Sequence, residues 1–138
     1  YRYWRSDLTT ECSLLEAGMD RFVRLDKGEF PGRDALLAEK KNGAKRKFVT
    51  VAVEAQGHNA PDNDPWGNEP LYANGKLVGR TTSGAFGFTV GRSLALAYVD
   101  APLAAPGTKM EIELLGAKYP VVVIPESPWD PNNDRIRA

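Results

Sequence analysis

Asn74-Gly75, set between the extended runs 69–73 and 76–82, is the feature that most narrows what this chain can become. A type I′ turn needs positive φ at both central residues, and Asn-Gly meets that need at low steric cost, so the flanking runs read as an antiparallel hairpin. The same β grammar extends to either side. Val49, Val51 and Val53 alternate with Thr50, Ala52 and Glu54, which predicts a half-buried strand. Residues 94–99, 110–114 and 120–124 supply three more strands. In the second of these Met110, Ile112 and Leu114 turn inward and Glu111 and Glu113 face water. Residues 121–124 are apolar throughout, a pattern that fits a strand covered on both faces and equally a buried helical segment. Gly84, Gly87 and Gly91 are expected to punctuate a loop. Six short strands at this spacing predict a mainly-β fold, a small antiparallel barrel or sandwich.

The first 44 residues read differently. Tyr1, Tyr3 and Trp4 crowd the start, and aromatics at that density need a core to pack against. Residues 21–25 suit a short strand, with Phe22 on one face and Val23 and Leu25 on the other. Asp34 caps or opens a helix over 35–41, and Gly43 stops it. A polar loop covers 56–68. The tail, 126–138, carries two prolines and little apolar content, so it is expected to be extended.

Composition removes several functions. Lysine plus arginine balance aspartate plus glutamate at 18 each, which gives no electrostatic reason for a nucleic-acid or anionic-membrane partner. No window approaches the ~20 apolar residues of a membrane helix, and no signal-peptide pattern opens the chain. One cysteine, Cys12, cannot form an internal disulfide, which places the chain in a reducing compartment. A start at Tyr1 without methionine implies a piece of a longer polypeptide.

Candidate chemistry is sparse. His58 stands near Asp62 and Asp64 in the polar loop, but a metal centre wants three rigidly held ligands, and solvated loop polarity is the better reading. The glycines between 84 and 91 lack both the phosphate-cradle spacing and a following helix. Ser83-Gly84 makes no nucleophile elbow, and the single histidine offers no triad. Cys12 has no local histidine partner and reads as structural. On these grounds no catalytic residue and no metal site is assigned; the residues by themselves name a soluble mostly-β domain and no reaction.

The order of several segments adds more. Tyr3-Trp4-Arg5-Ser6-Asp7-Leu8, Leu15-Glu16-Ala17-Gly18-Met19 and Phe30-Pro31-Gly32-Arg33-Asp34-Ala35-Leu36 resemble, in that order, the end of the folate-binding core of the glycine-cleavage T-protein (aminomethyltransferase) family. Gly79-Arg80-Thr81-Thr82-Ser83-Gly84, then residues 94–99 and Pro106-Gly107-Thr108, resemble the C-terminal barrel of the same family. Gly67-Asn68-Glu69 leading into the hairpin, and the ending Pro128-Trp129-Asp130-Pro131, favour its dimethylglycine/sarcosine dehydrogenase branch. Leu14 and Pro31 depart from the family pattern in ways that look structural. The family's catalytic aspartate and its pterin-contacting glutamate and arginine fall upstream of Tyr1, so Asp7 is given a capping or turn role instead.

The resemblance implies a six-stranded antiparallel Greek-key barrel. Residues 1–44 would be the end of the folate-binding core, and residues 45–138 the barrel domain with its tail. Tyr3, Trp4 and Phe22 would be exposed where the rest of that core sits. It implies a parent enzyme whose N-terminal FAD half oxidises an N-methyl amine and whose folate half passes the one-carbon unit to tetrahydrofolate. The fragment alone would be inactive. Its partners would be the amine substrate, folate and the N-terminal domains of the same chain, with no nucleic acid and no membrane. The location would be cytoplasmic, or the mitochondrial matrix in a eukaryote. Tetrahydrofolate ends in a glutamate, and an arginine grips a carboxylate with two parallel hydrogen bonds; Arg135 is the first candidate for that contact and Arg137 the second. A stand-alone aminomethyltransferase barrel and a non-catalytic binding barrel are the alternatives.

Overall fold

Asn74 and Gly75 take φ of 52° and 75° and close the expected hairpin between β2 (Pro70–Ala73) and β3 (Lys76–Gly87). The computed structural model describes residues 2–54 and 64–137. Four further strands complete the sheet: β1 (Arg46–Val53), β4 (Arg92–Asp100), β5 (Lys109–Leu114) and β6 (Ala117–Ile124). They close into an antiparallel barrel in the order β1-β4-β3-β2-β5-β6. Strands β2, β3 and β4 follow one another as hairpins. After a short 3-10 turn, Ala101–Leu103, the chain returns to lay β5 beside β2, which is the Greek-key step.

Alternation sets the core. Val49, Val51, Val53, Ile112, Val121 and Val123 point inward and are buried, as are Met110 and Leu114. Glu111 and Glu113 stand on the other face of β5, as the pattern requires. The outer residues of β6, Val122 and Ile124, are only partly covered, so this strand is less enclosed than its apolar run implies. β1 departs in the opposite direction: Thr50 and Ala52, expected to face water, are 3% and 0% exposed. The tail accounts for Thr50, whose hydroxyl donates to the Glu126 carbonyl at 3.1 Å.

Three other expectations fail for identifiable reasons. Residues 21–25 form no strand; Asp20–Phe22 is a 3-10 turn, and the closed barrel leaves no edge for an extra strand to join. Gly84 and Gly87 sit within the twelve-residue β3 rather than in a loop, and only Gly91, at φ 65°, serves a turn. Gly84 is there because a Cβ would fall 2.5 Å from the Pro65 carbonyl oxygen. The tail is not extended throughout. Asp130 accepts the N–H of Asp134 at 2.8 Å and of Arg135 at 3.2 Å, capping a helical turn, α2 (Asp134–Arg137). The earlier helix, α1, runs Arg33–Asn42. Gly32 is its N-cap, so Asp34 lies inside the first turn, and Gly43 ends it as expected.

Candidate functional site

The sequence Thr81-Thr82-Ser83 puts three hydroxyls in succession on a strand, which period-two alternation cannot place on one face. β3 resolves this with a bulge: its register against β4 shifts between Thr81 and Ser83. Thr81 stays inside at 0% exposure and bonds to the Glu69 carboxylate. Thr82 and Ser83 turn outward and both donate to Asp7 Oδ1, at 2.5 and 2.8 Å. The other oxygen of Asp7 accepts the Tyr3 N–H at 2.7 Å, and the Tyr98 hydroxyl donates to the Asp7 carbonyl at 2.9 Å. Asp7 therefore does hold a turn, 3–8, and also bolts it to the barrel.

Two further carboxylates fix the surroundings. Burial pushes Glu69 up, but the Thr81 hydroxyl and the N–H groups of Trp66 and Gly67 outweigh it and hold its pKa below the ordinary glutamate range. Glu16 behaves alike. Burial raises it, and the two-pronged hydrogen bond from Arg46, at 3.1 and 3.2 Å, with the Ser13 N–H, brings it below normal. The Tyr98 phenol is raised, first by burial and then by its proximity to Cys12 and Glu16. Cys12 itself is half-buried and donates to the Thr9 carbonyl at 3.3 Å.

Beside the Asp7 anchor the outer faces of β3 and β4 form a groove of about 410 Å³. Ala85, Leu94 and Leu96 give it an apolar floor. Ser83 and Thr50 bring hydroxyls, and Glu126 and Pro128 of the tail form its other wall. Arg2 ties the tail to β1, with its guanidinium 3.0 Å from the Glu126 carboxylate and over the Phe48 ring at 4.7 Å. The tail then continues to Trp129 and α2. The Arg135 guanidinium carbon lies 4.6 Å above the Trp129 ring, while Arg137 is exposed on the same turn. Among the described residues neither arginine's side chain forms an ion pair with a carboxylate; Arg135 meets Asp130 through its backbone N–H alone. Tyr3, Trp4 and Phe22 are 70%, 60% and 62% exposed, as expected of them.

His58 and Asp62 lie outside the described residues. Asp64 serves structure: its carboxylate accepts the Phe86 N–H at 3.0 Å and the Ser93 hydroxyl at 2.6 Å. No group of three potential metal ligands occurs among the described residues, and no described helix is long and apolar enough to cross a membrane.

The chain is a closed antiparallel Greek-key barrel domain with a preceding segment hydrogen-bonded to its outer wall and aromatic side chains outward. Residues 46–130 match the glycine cleavage T-protein C-terminal barrel domain, and the chain belongs to that family. Over 127 residues it is 41% identical to human mitochondrial dimethylglycine dehydrogenase, covering 91% of this chain and 14% of that protein. It is 39% identical to the aminomethyltransferase of Moorella thermoacetica over 110 residues, 80% of this chain and 28% of that enzyme. The solved aminomethyltransferase T of the Bartonella henselae glycine cleavage system superposes with a TM-score of 0.77 at 25% identity, over 87% of this chain and 33% of that one. The chain thus spans about a seventh of the dehydrogenase and about a third or less of the aminomethyltransferases it matches.

Proposed function

We propose that this chain is the C-terminal part of the folate half of an FAD-dependent N-methyl amine dehydrogenase, acting on a dimethylglycine- or sarcosine-type amine and passing a one-carbon unit to tetrahydrofolate. The 41% identity to human dimethylglycine dehydrogenase across nearly the whole chain carries this reading. Residues 1–44 are the end of the folate-binding core and 45–138 the barrel domain. The exposed Tyr3, Trp4 and Phe22 mark the face toward the rest of that core, because apolar surface left open on a domain is where a neighbour belongs. The flavin belongs to the upstream half; no residue of this chain is assigned to it.

The residues present fit one end of tetrahydrofolate. Arg135, its guanidinium over the Trp129 ring and in no ion pair among the described residues, offers a fork to the glutamate carboxylate. Arg137, two positions on, is the second such cation. When bound, tetrahydrofolate supplies the amine that accepts the one-carbon unit. The part of this chain is to hold it in register and keep water away. The wall of β3 and β4 with the tail across it suits that task. In a eukaryote the location would be mitochondrial, as for the human relative; in a bacterium it would be the cytoplasm. A stand-alone aminomethyltransferase is the second reading, favoured by the Moorella match.

The test is turnover of the full-length parent with dimethylglycine and tetrahydrofolate. Amine oxidation with folate-dependent one-carbon transfer is expected from the parent, and neither from the 138-residue chain. Turnover by the isolated chain, or a parent in which amine oxidation proceeds but tetrahydrofolate takes up no one-carbon unit, would sink the proposal.

A further inference from the structure

We infer that Asp7 is a positioning residue for the folate site, an inference that rests on the folate reading above: it sets the angle at which the 3–8 turn, with Tyr3 and Trp4, stands on the barrel. One carboxylate that is 1% exposed takes donors from both bodies it joins. Oδ2 accepts the Tyr3 N–H, and Oδ1 accepts the Thr82 and Ser83 hydroxyls at the β3 bulge. Apart from these, the turn closes on itself, through the Asp7 and Leu8 N–H groups to the Tyr3 carbonyl and the Arg5 N–H to the Leu8 carbonyl, and meets the barrel at one backbone point, where the Tyr98 hydroxyl donates to the Asp7 carbonyl. Tyr3 and Trp4, largely exposed, have little packing of their own to orient them.

Two features separate positioning from simple stability. Asp7 takes no part in the barrel ladder, whose six strands close without it. The Arg2–Glu126 pair also tethers the same segment, so loss of the Asp7 carboxylate frees the angle of the turn before it frees the turn. Asparagine can replace Asp7 with a hydrogen bond at each contact, the two to the hydroxyls reversed in direction. Its carbonyl takes the Tyr3 N–H, its amide donates to the Thr82 and Ser83 oxygens, and Thr82 donates instead to the Leu96 carbonyl, already 3.3 Å away. Alanine keeps none of them, and the double change T82V/S83A strips Oδ1 of both hydroxyls.

The experiment uses the full-length parent and reads KM for tetrahydrofolate in one-carbon transfer beside kcat for amine oxidation with an artificial electron acceptor. Asp7→Ala and T82V/S83A should each raise the folate KM about tenfold, the equivalent of roughly 1.4 kcal/mol. The combined variant should be no worse than Asp7→Ala, Asp7→Asn should stay near wild type, and amine oxidation should hold throughout. Wild-type folate KM in a folded Asp7→Ala variant overturns the inference, and so does an equal loss of amine oxidation. If Asp7→Ala does not fold, T82V/S83A read against Asp7→Asn decides on the same two measurements. A wild-type parent without folate-dependent transfer sinks the underlying reading. A folate-dependent wild type with an indifferent Asp7→Ala sinks only this one.

Discussion

Asp7 and Ser83, 76 residues apart in the chain, meet in a 2.8 Å hydrogen bond on the outer wall of the barrel. Tyr98 completes the joint from the other strand, its hydroxyl donating to the Asp7 carbonyl at 2.9 Å in a buried setting. Tyr98→Phe keeps the ring against Phe48 and leaves that carbonyl without its donor. An unpaired buried polar group costs about 1–3 kcal/mol. Urea unfolding of the Tyr98→Phe chain should show a lower midpoint with an unchanged slope; a midpoint equal to wild type would show that the bond contributes nothing.

Gly84 and Gly91 separate two reasons for glycine. A Cβ on Gly84 would sit 2.5 Å from the Pro65 carbonyl oxygen and 2.9 Å from that of Leu94, both backbone atoms with little room to give. Gly84→Ala should cost about 1–3 kcal/mol through forced displacement. Gly91 meets no atom within 4 Å but has φ of 65°, so Gly91→Ala should lose only about 1 kcal/mol, from the left-handed backbone. Denaturant melts of the two variants side by side check the order; an equal or smaller loss at Gly84 would mean that Pro65 moves freely.

Stability should fall on the acid side. Glu16 and Glu69 both have folded pKa values held below the ordinary 4.5. Groups depressed in this direction contribute stability that is fully present above the unfolded value and is lost as pH falls through the folded one. The melting temperature should therefore hold at neutral pH and drop once pH passes below about 4.5. Glu69→Gln, which cannot titrate, should flatten part of that slope, and Glu16→Gln another part. An acid slope identical in wild type and the double variant would place the titrating groups elsewhere.

Local patterns were enough for much of the barrel and for little of the joint that holds the chain to it. Asn74-Gly75 announced its hairpin because the needed φ values favour those two residue types. The turn at Leu115 and Gly116 uses the same left-handed conformations, φ 49° and 81°, but hides behind a leucine that nothing in a sequence pattern would place there. Thr50 read as solvent-facing because alternation knows only its own strand, not the tail that covers it. Asp7 read correctly as a turn residue, yet its partners lie beyond the reach of any local rule. The one available signal was the hydroxyl run Thr81-Thr82-Ser83, where the register of β3 against β4 shifts. Arg135 and Arg137 were legible as cations near the end of the chain. The helical turn that carries them was not, since it depends on Asp130 accepting N–H groups four and five residues ahead.

That helical turn shapes the final prediction. Asp130 caps α2 with both carboxylate oxygens, and on that turn the exposed Arg135 lies with its guanidinium over Trp129. A planar fork already stacked on an indole has less freedom to lose when it grips a carboxylate. In the parent enzyme Arg135→Ala should weaken tetrahydrofolate binding by roughly 1–3 kcal/mol, the range for a hydrogen-bonded charge at a partly exposed site. Amine oxidation should be untouched. Arg135→Lys keeps the charge but loses the fork and the stacking, so it should recover only part of the loss. Trp129→Ala should mimic a fraction of it by freeing the arginine. Arg137→Ala should have the smaller effect, because no described aromatic ring holds that side chain in place. Titration of tetrahydrofolate against the four variants provides the measurement. If Arg135→Ala and Arg137→Ala both bind folate as the unmodified enzyme does, the carboxylate is held by residues outside this chain.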